Sequence, residues 1–140
     1  MIDIQDTESK KRYLKRYRKN RALIARLKDK VDNLDARIKG LRSPKFSDMP
    51  RGGTPITKED MIAEKCDILD RINRLESKGK IIKREILDTI DELEDTRYAE
   101  VLESFCIDCI DLDIIAENMG YTTRHIYTLY SEAIEEIEIS

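Results

Sequence analysis

Tryptophan is absent from this 140-residue chain, which has only five Gly, three Pro, three Cys and one His. With so few residues that break or bend the backbone, most of the chain must lie in long regular elements. No apolar run approaches the roughly 20 residues that a membrane-spanning helix requires. The first residues, Met1-Ile2-Asp3-Ile4-Gln5-Asp6, are acidic where a signal peptide would be basic. No membrane partner and a cytoplasmic location are therefore expected. The single His125 has no adjacent nucleophile, and no Gly-Lys-Ser/Thr opens a helix after a glycine loop. The acidic pairs Asp91/Glu92 and Glu94/Asp95 read as a solvated helix face, so no catalytic residue and no enzyme are expected. Cys106-Ile107-Asp108-Cys109 has a spacing that zinc can use, but a structural site needs four ligands. Together with Cys66 these residues read as buried thiols in a reducing compartment, with no metal and no cofactor.

What the chain has instead is charge, with 39% Asp, Glu, Lys and Arg, and an abundance of Ile and Leu. That is the composition of long helices and coiled coils, so the fold class is all-α with almost no strand. From about Thr7 to Leu41 a heptad seam runs through Tyr13, Tyr17, Asn20, Ile24, Leu27, Val31, Leu34, Ile38 and Leu41. Asn20 is its polar interruption, of the kind that fixes register. A second long helix should begin after Thr57, which with Asp60 resembles a capping box. It carries Met61, Ile68, Ile72, Leu75, Ile82, Ile86 and Leu93, and is weakened at Lys65 and Gly79, where bending or fraying is expected. All three Pro lie in the linker 42–57, which neither helix can traverse. The two helices either fold back as an antiparallel hairpin or stay apart and pair with another protomer as a homodimer. The linker is a surface loop, or Lys45 and Arg51 with Gly52 and Gly53 present positive charge and amides to a phosphate.

The last third of the chain reads as a helix-turn-helix. Residues 1–94 form the arm or hairpin and 95–140 the module. Asp111 is positioned to cap a short helix in which Ile115, Ala116 and Met119 share one face. Gly120 supplies the left-handed residue that ends it, Tyr121 packs in the turn, and Thr122 caps the next helix. There Ile126, Leu129, Ala133, Ile134 and Ile137 recur at helical spacing, leaving Thr123, Arg124, His125, Tyr127 and Thr128 outside.

Ile115, Ala116, Glu117, Met119, Gly120, Tyr121, Thr122 and Ile126 resemble, position by position, the C-terminal region four of bacterial sigma factors, which reads the −35 promoter element. The linker residues Ser43-Pro44, Phe46-Ser47-Asp48, Pro50 and Arg51-Gly52-Gly53 resemble those of phage-encoded late transcriptional regulators of the RinA/ArpU-like type. The resemblance implies promoter DNA as double-stranded partner, RNA polymerase as a further partner, and the cytoplasm of a bacterial host as location. It places Thr122, Thr123, Arg124, His125, Tyr127 and Thr128 at the DNA. Two other functions stay open: an adaptor for RNA polymerase or a phage packaging component, and a terminase small subunit assembled as a ring.

The net charge of −3 conceals a division. Lys10, Lys11, Arg12, Lys15, Arg16, Arg18, Lys19 and Arg21 crowd the first helix, whereas beyond Asp91 only Arg97 and Arg124 are basic. Either Lys10, Lys11, Arg12, Lys15 and Arg16 touch the phosphate backbone, or the basic and acidic parts attract each other. The acidic residues Glu132, Glu135, Glu136 and Glu138 favour protein contacts over DNA near the end of the chain.

Overall fold

Asp6 accepts the Ser9 amide on Oδ1 at 2.7 Å, satisfying one of the donors that the start of a helix leaves open. From that cap, helix α1 runs Thr7–Gly40. A computed structural model describes residues 6–40 and 57–139. The seam position Leu41 and the linker candidates Lys45 and Arg51 lie outside the described residues. Helix α2, Lys58–Asp91, begins with the expected reciprocal cap. The Thr57 amide donates to Asp60 Oδ2 at 3.3 Å and the Asp60 amide donates to Thr57 Oγ1 at 3.0 Å. Three shorter helices follow: α3 Thr96–Cys106, α4 Leu112–Met119 and α5 Thr123–Glu136. Every regular element among the described residues is a helix, and the fold is all-α.

Each long helix contributes to two compact units, one formed by residues up to Arg21 with Lys78 onward, the other by Ala22–Ser77. In the second unit Ile24, Leu27 and Val31 of α1 close on Ile72 of α2, with Leu23, Ile68 and Leu75 packed alongside. Lys28 pairs with Glu76 at 3.7 Å and Lys65 with Asp35 at 2.6 Å. Rising numbers on α1 thus meet falling numbers on α2, an antiparallel pairing. The expected weakness at Lys65 does not arise: α2 is helical throughout, and the Lys65 ammonium reaches across to the Asp35 carboxylate.

The first unit holds the larger core. Leu14 of α1 and Ile82, Ile86 and Ile90 of α2 pack against Val101, Leu102 and Cys106 of α3, Ile115 and Ala116 of α4, and Ile126, Leu129, Ala133 and Ile134 of α5. The chain from Thr96 onward therefore shares one core with the start of α1 and the end of α2. Here too the pairing of α1 and α2 is antiparallel: the Tyr13 hydroxyl meets Thr89 Oγ1 at 3.1 Å, and Arg16 meets Glu85 at 2.9 Å. Gly79 does not interrupt α2 either. It lies against Asn20, whose side-chain amide occupies the space where a Cβ on Gly79 would stand. The polar interruption of one seam and the missing side chain of the other are thus two halves of one contact.

Basic residues of α1 tie the short helices down. Neither α3 nor α5 has a basic residue in its last turn, so their terminal carbonyls lack the cation that their dipoles favour. Lys10, only 7% exposed, supplies one by donating from Nζ to the Glu135 carbonyl at 2.9 Å. Arg18 supplies the other, donating to the Phe105 carbonyl at 2.8 Å and the Ile110 carbonyl at 3.5 Å while lying over the Phe105 ring at 4.1 Å. Its other terminal nitrogen bonds Asp111 Oδ1 at 3.0 Å. Asp111 does occupy the N-cap position of α4, but its side chain makes no capping bond, contrary to the sequence expectation. The carboxylate instead pairs with Arg18, a bond in which both partners are charged.

Two stability outcomes follow from these contacts. Gly79→Ala should destabilise the parent, yet should stabilise an Asn20→Ala variant by up to about 1 kcal/mol through helix propensity, which a denaturant double-mutant cycle measures. Arg18→Met should cost about 1.5–3 kcal/mol in the same assay, since it removes charged hydrogen bonds and orphans their acceptors.

Candidate nucleic-acid interface

The α4–α5 turn is built from three consecutive residues with separate duties. Gly120 adopts φ 75° and ψ 26°, a conformation that costs a residue with a Cβ more than it costs glycine. This lets the Gly120 amide donate to Glu117 at 3.3 Å and the Tyr121 amide to Ala116 at 2.9 Å. The Tyr121 ring stands edge-on to His125, with centroids 4.8 Å apart. Thr122 is the N-cap of α5 as expected, its Oγ1 accepting the His125 amide at 3.1 Å.

Helix α5 then divides cleanly. Ile126, Leu129, Tyr130, Ala133 and Ile134 are buried, each large aliphatic side chain contributing about 1.5–3 kcal/mol by leaving water. Thr122, Thr123, Arg124, His125, Tyr127 and Thr128 are all exposed. Arg124, Tyr127 and Thr128 fall at i, i+3 and i+4 and so share one face. The Thr128 hydroxyl donates back to the Arg124 carbonyl at 3.1 Å, which holds its methyl outward. Tyr127 is 50% exposed. No ion pair or hydrogen bond engages the Arg124 guanidinium among the described residues. From Tyr121 to Ser131 there is no acidic residue, and the positive end of the helix dipole lies at the same end. The acids are further along: Glu132 accepts a hydrogen bond from the Tyr98 hydroxyl at 3.1 Å, which pushes the ionisation of that phenol upward.

The basic candidates of α1 are not gathered beside this face by any bond. Lys10 is engaged at the Glu135 carbonyl, and Arg16 pairs with Glu85 while lying over the Tyr13 ring at 4.4 Å. Arg12 is exposed and reaches only Ser9, at 3.4 Å. Lys11 and Lys15 are half-buried, and no bond or ion pair engages either among the described residues. Two important polar residues carried no assigned role in the sequence. Arg18 is indistinguishable there from its basic neighbours. Asp95, read as part of a solvated face, is the N-cap of α3: it accepts the Arg97 amide at 2.9 Å, and its carboxyl is held below its ordinary range by the Arg97 side chain and amide. An Asp directly before an amphipathic run was the signal for it.

The thiols divide as well. Cys106 is fully buried, and burial pushes its thiol up to about 12. Cys109 forms the α3–α4 turn with φ 58°. Cys66 is exposed, against the expectation that all three would be buried; it borders an open groove lined also by Asp35 and Ile38 of α1. No cluster of three His, Cys, Asp or Glu side chains that could hold a metal occurs among the described residues. No helix among them is long and apolar enough to cross a membrane.

A family described as a protein of unknown function, DUF1492, matches residues 40–138. The chain belongs to DUF1492. The matched stretch includes all of α2, the three short helices and every exposed residue of α5 discussed above, and leaves most of α1 outside. No curated protein and no solved structure matches the chain.

The burial of two ionisable groups sets an alkaline limit on this DUF1492 module. Desolvation raises Cys106 from 9.0 to about 12 and Tyr130, edge-on to Phe105 at 5.2 Å, from 10.0 to about 12. Each folded value lies above its unfolded value, so the neutral forms contribute stability fully below the unfolded values and lose it as pH rises toward 12. Unfolding free energy should decline between pH 9 and 12. Cys106→Ala and Tyr130→Phe should each flatten that decline, measured by urea denaturation across the pH range.

Proposed function

We propose that the chain is a DNA-binding transcriptional regulator, encoded by a phage or prophage and acting on phage gene expression in the cytoplasm of a bacterial host. It reads promoter DNA with the N-terminal half of α5, in the manner of the sigma-factor region four that residues 115–126 resemble. The observation that carries this reading is the exposed, acid-free face bearing Arg124 at the positive end of α5. A helix presented this way meets base edges with its first residues. Arg124 can donate two bonds to guanine O6 and N7, and Tyr127 and Thr128 can meet a thymine methyl or a phosphate. Thr122 acts by holding the helix start, since its hydroxyl accepts the His125 amide.

A second reading rests on the exposed Glu132, Glu135, Glu136 and Glu138, which repel phosphate. In it the module docks a protein, RNA polymerase or a phage packaging component, and the helical pair serves as scaffold or as a homodimer contact. A terminase small subunit is a variant of that reading, separated by its ring assembly.

Selection of duplexes from a random pool by the full chain, followed by binding measurements on the selected site, decides between them. Arg124→Ala should cost about 1–3 kcal/mol at one base position and relax selectivity there. Its unfolding curve should match the parent's, because the side chain faces solvent. Equal affinity and equal selectivity in the variant would remove the DNA-reading role of α5.

A further inference from the structure

The cations expected at the phosphate backbone lie on α1, yet the structure engages several of them within the fold, while a basic cluster on α2 is left open. Lys80, Lys83 and Arg84 stand at i, i+3 and i+4 on one side of α2, so their side chains converge. All three are exposed, and no hydrogen bond or ion pair engages any of them among the described residues. Lys10 and Arg16, by contrast, are engaged by Glu135 and Glu85. The cluster opens onto a shallow groove lined by Lys80, Lys83, Arg84, Leu87, Asp88 and Asp91. Asp88 and Asp91 lie about one and two turns beyond Arg84, which leaves the 80–84 stretch as the electropositive part of the groove. Glu85, the nearest acid in sequence, is neutralised by Arg16 at 2.9 Å.

Position along the unit favours the same conclusion. The antiparallel contacts Arg16 with Glu85 and Asn20 with Gly79 place residues 80–84 of α2 beside the Arg16–Asn20 stretch of α1. The acidic end of α5 is held at Lys10. Lys10 and Arg18 are separated by about 12 Å along α1, at about 1.5 Å per residue. The basic cluster thus lies level with Arg16–Asn20, further along α1 than Lys10, which holds the Glu135 carbonyl.

We infer that Lys80, Lys83 and Arg84 of α2 form a clamp for the phosphate backbone of duplex DNA, separate from the base-reading face of α5. The clamp rests on the DNA-binding reading above and adds a sequence-independent contact to it. Three ammonium or guanidinium groups on one helix side match successive phosphates, and each one neutralised releases condensed counterions.

The test is fluorescence anisotropy of the full chain with a labelled random-sequence duplex of about 30 base pairs, from roughly 50 to 200 mM KCl. The Lys80→Gln/Lys83→Gln/Arg84→Gln variant should bind about tenfold or more weakly at the lowest salt. The slope of log affinity against log salt should fall by about 2 to 3 in magnitude, at about 0.9 per phosphate contact. A charge-keeping variant, Lys80→Arg/Lys83→Arg/Arg84→Lys, should retain the parent's slope, which separates a charge effect from a loss of helix. Unchanged affinity and slope in the Gln variant, or loss of the slope in Lys11→Gln/Lys15→Gln instead, overturns the clamp while leaving DNA binding intact. A parent protein that binds no duplex at any salt overturns both the clamp and the DNA reading.

Discussion

Cations borrowed from α1 are the constraint on which the module depends. Helices α3 and α5 both end without a basic residue of their own, and both have terminal carbonyls that must find donors. Lys10 and Arg18 provide them from 125 and 87 positions away in sequence. Arg18 also draws in Asp111, so one guanidinium bridges the end of α3, the following loop and the start of α4. The division of charge between the chain's beginning and end thereby has a structural use, quite apart from any partner. Cations of the basic part, bonded to backbone carbonyls and, at Asp111, to one carboxylate, tie down the module that carries the candidate interface.

Local features were legible in the sequence, and tertiary ones were not. Thr57 with Asp60, Gly120 and Thr122 each act within three or four residues of themselves, so their caps follow from residue type and spacing. The buried face of α5 follows from a 3.6-residue period, and the exposed candidates follow by subtraction. Asp111 departed from expectation because its competitor, Arg18, is 93 positions away. Leu14, fully buried though it lies outside the heptad seam, belongs to the core that α2 shares with the three short helices. A two-helix pattern has no place for a side chain that serves a third partner. The exposed residues of α5 were found by position, but what they touch depends on a molecule whose chemistry the chain does not contain.

The distribution of burial also separates stability from recognition. Ile126, Leu129 and Ile134 hold α5 from one side, and Arg124, Tyr127 and Thr128 occupy the other with no core contact to lose. Substitution on the outer side can alter what is bound without altering the scaffold. The α1 cations lack that independence: changing Lys10 or Arg18 perturbs the fold and any electrostatic surface together, so their loss cannot be read as a binding effect.

Asn20 and Gly79 act together as a peg and its notch. Sliding α1 along α2 by one heptad would bring Asn20 to the level of Ile86, which is fully buried. The amide would then face a methyl group, and the notch at Gly79 would stand empty. Both mismatches are unfavourable, the first through crowding of the amide against a buried Ile side chain and the second through a void. A seven-residue insertion in one long helix, which preserves every apolar repeat, is therefore not neutral for this protein. It would have to be matched by an insertion on the same side of the peg in the other helix, so the lengths of α1 and α2 are free to change only in concert.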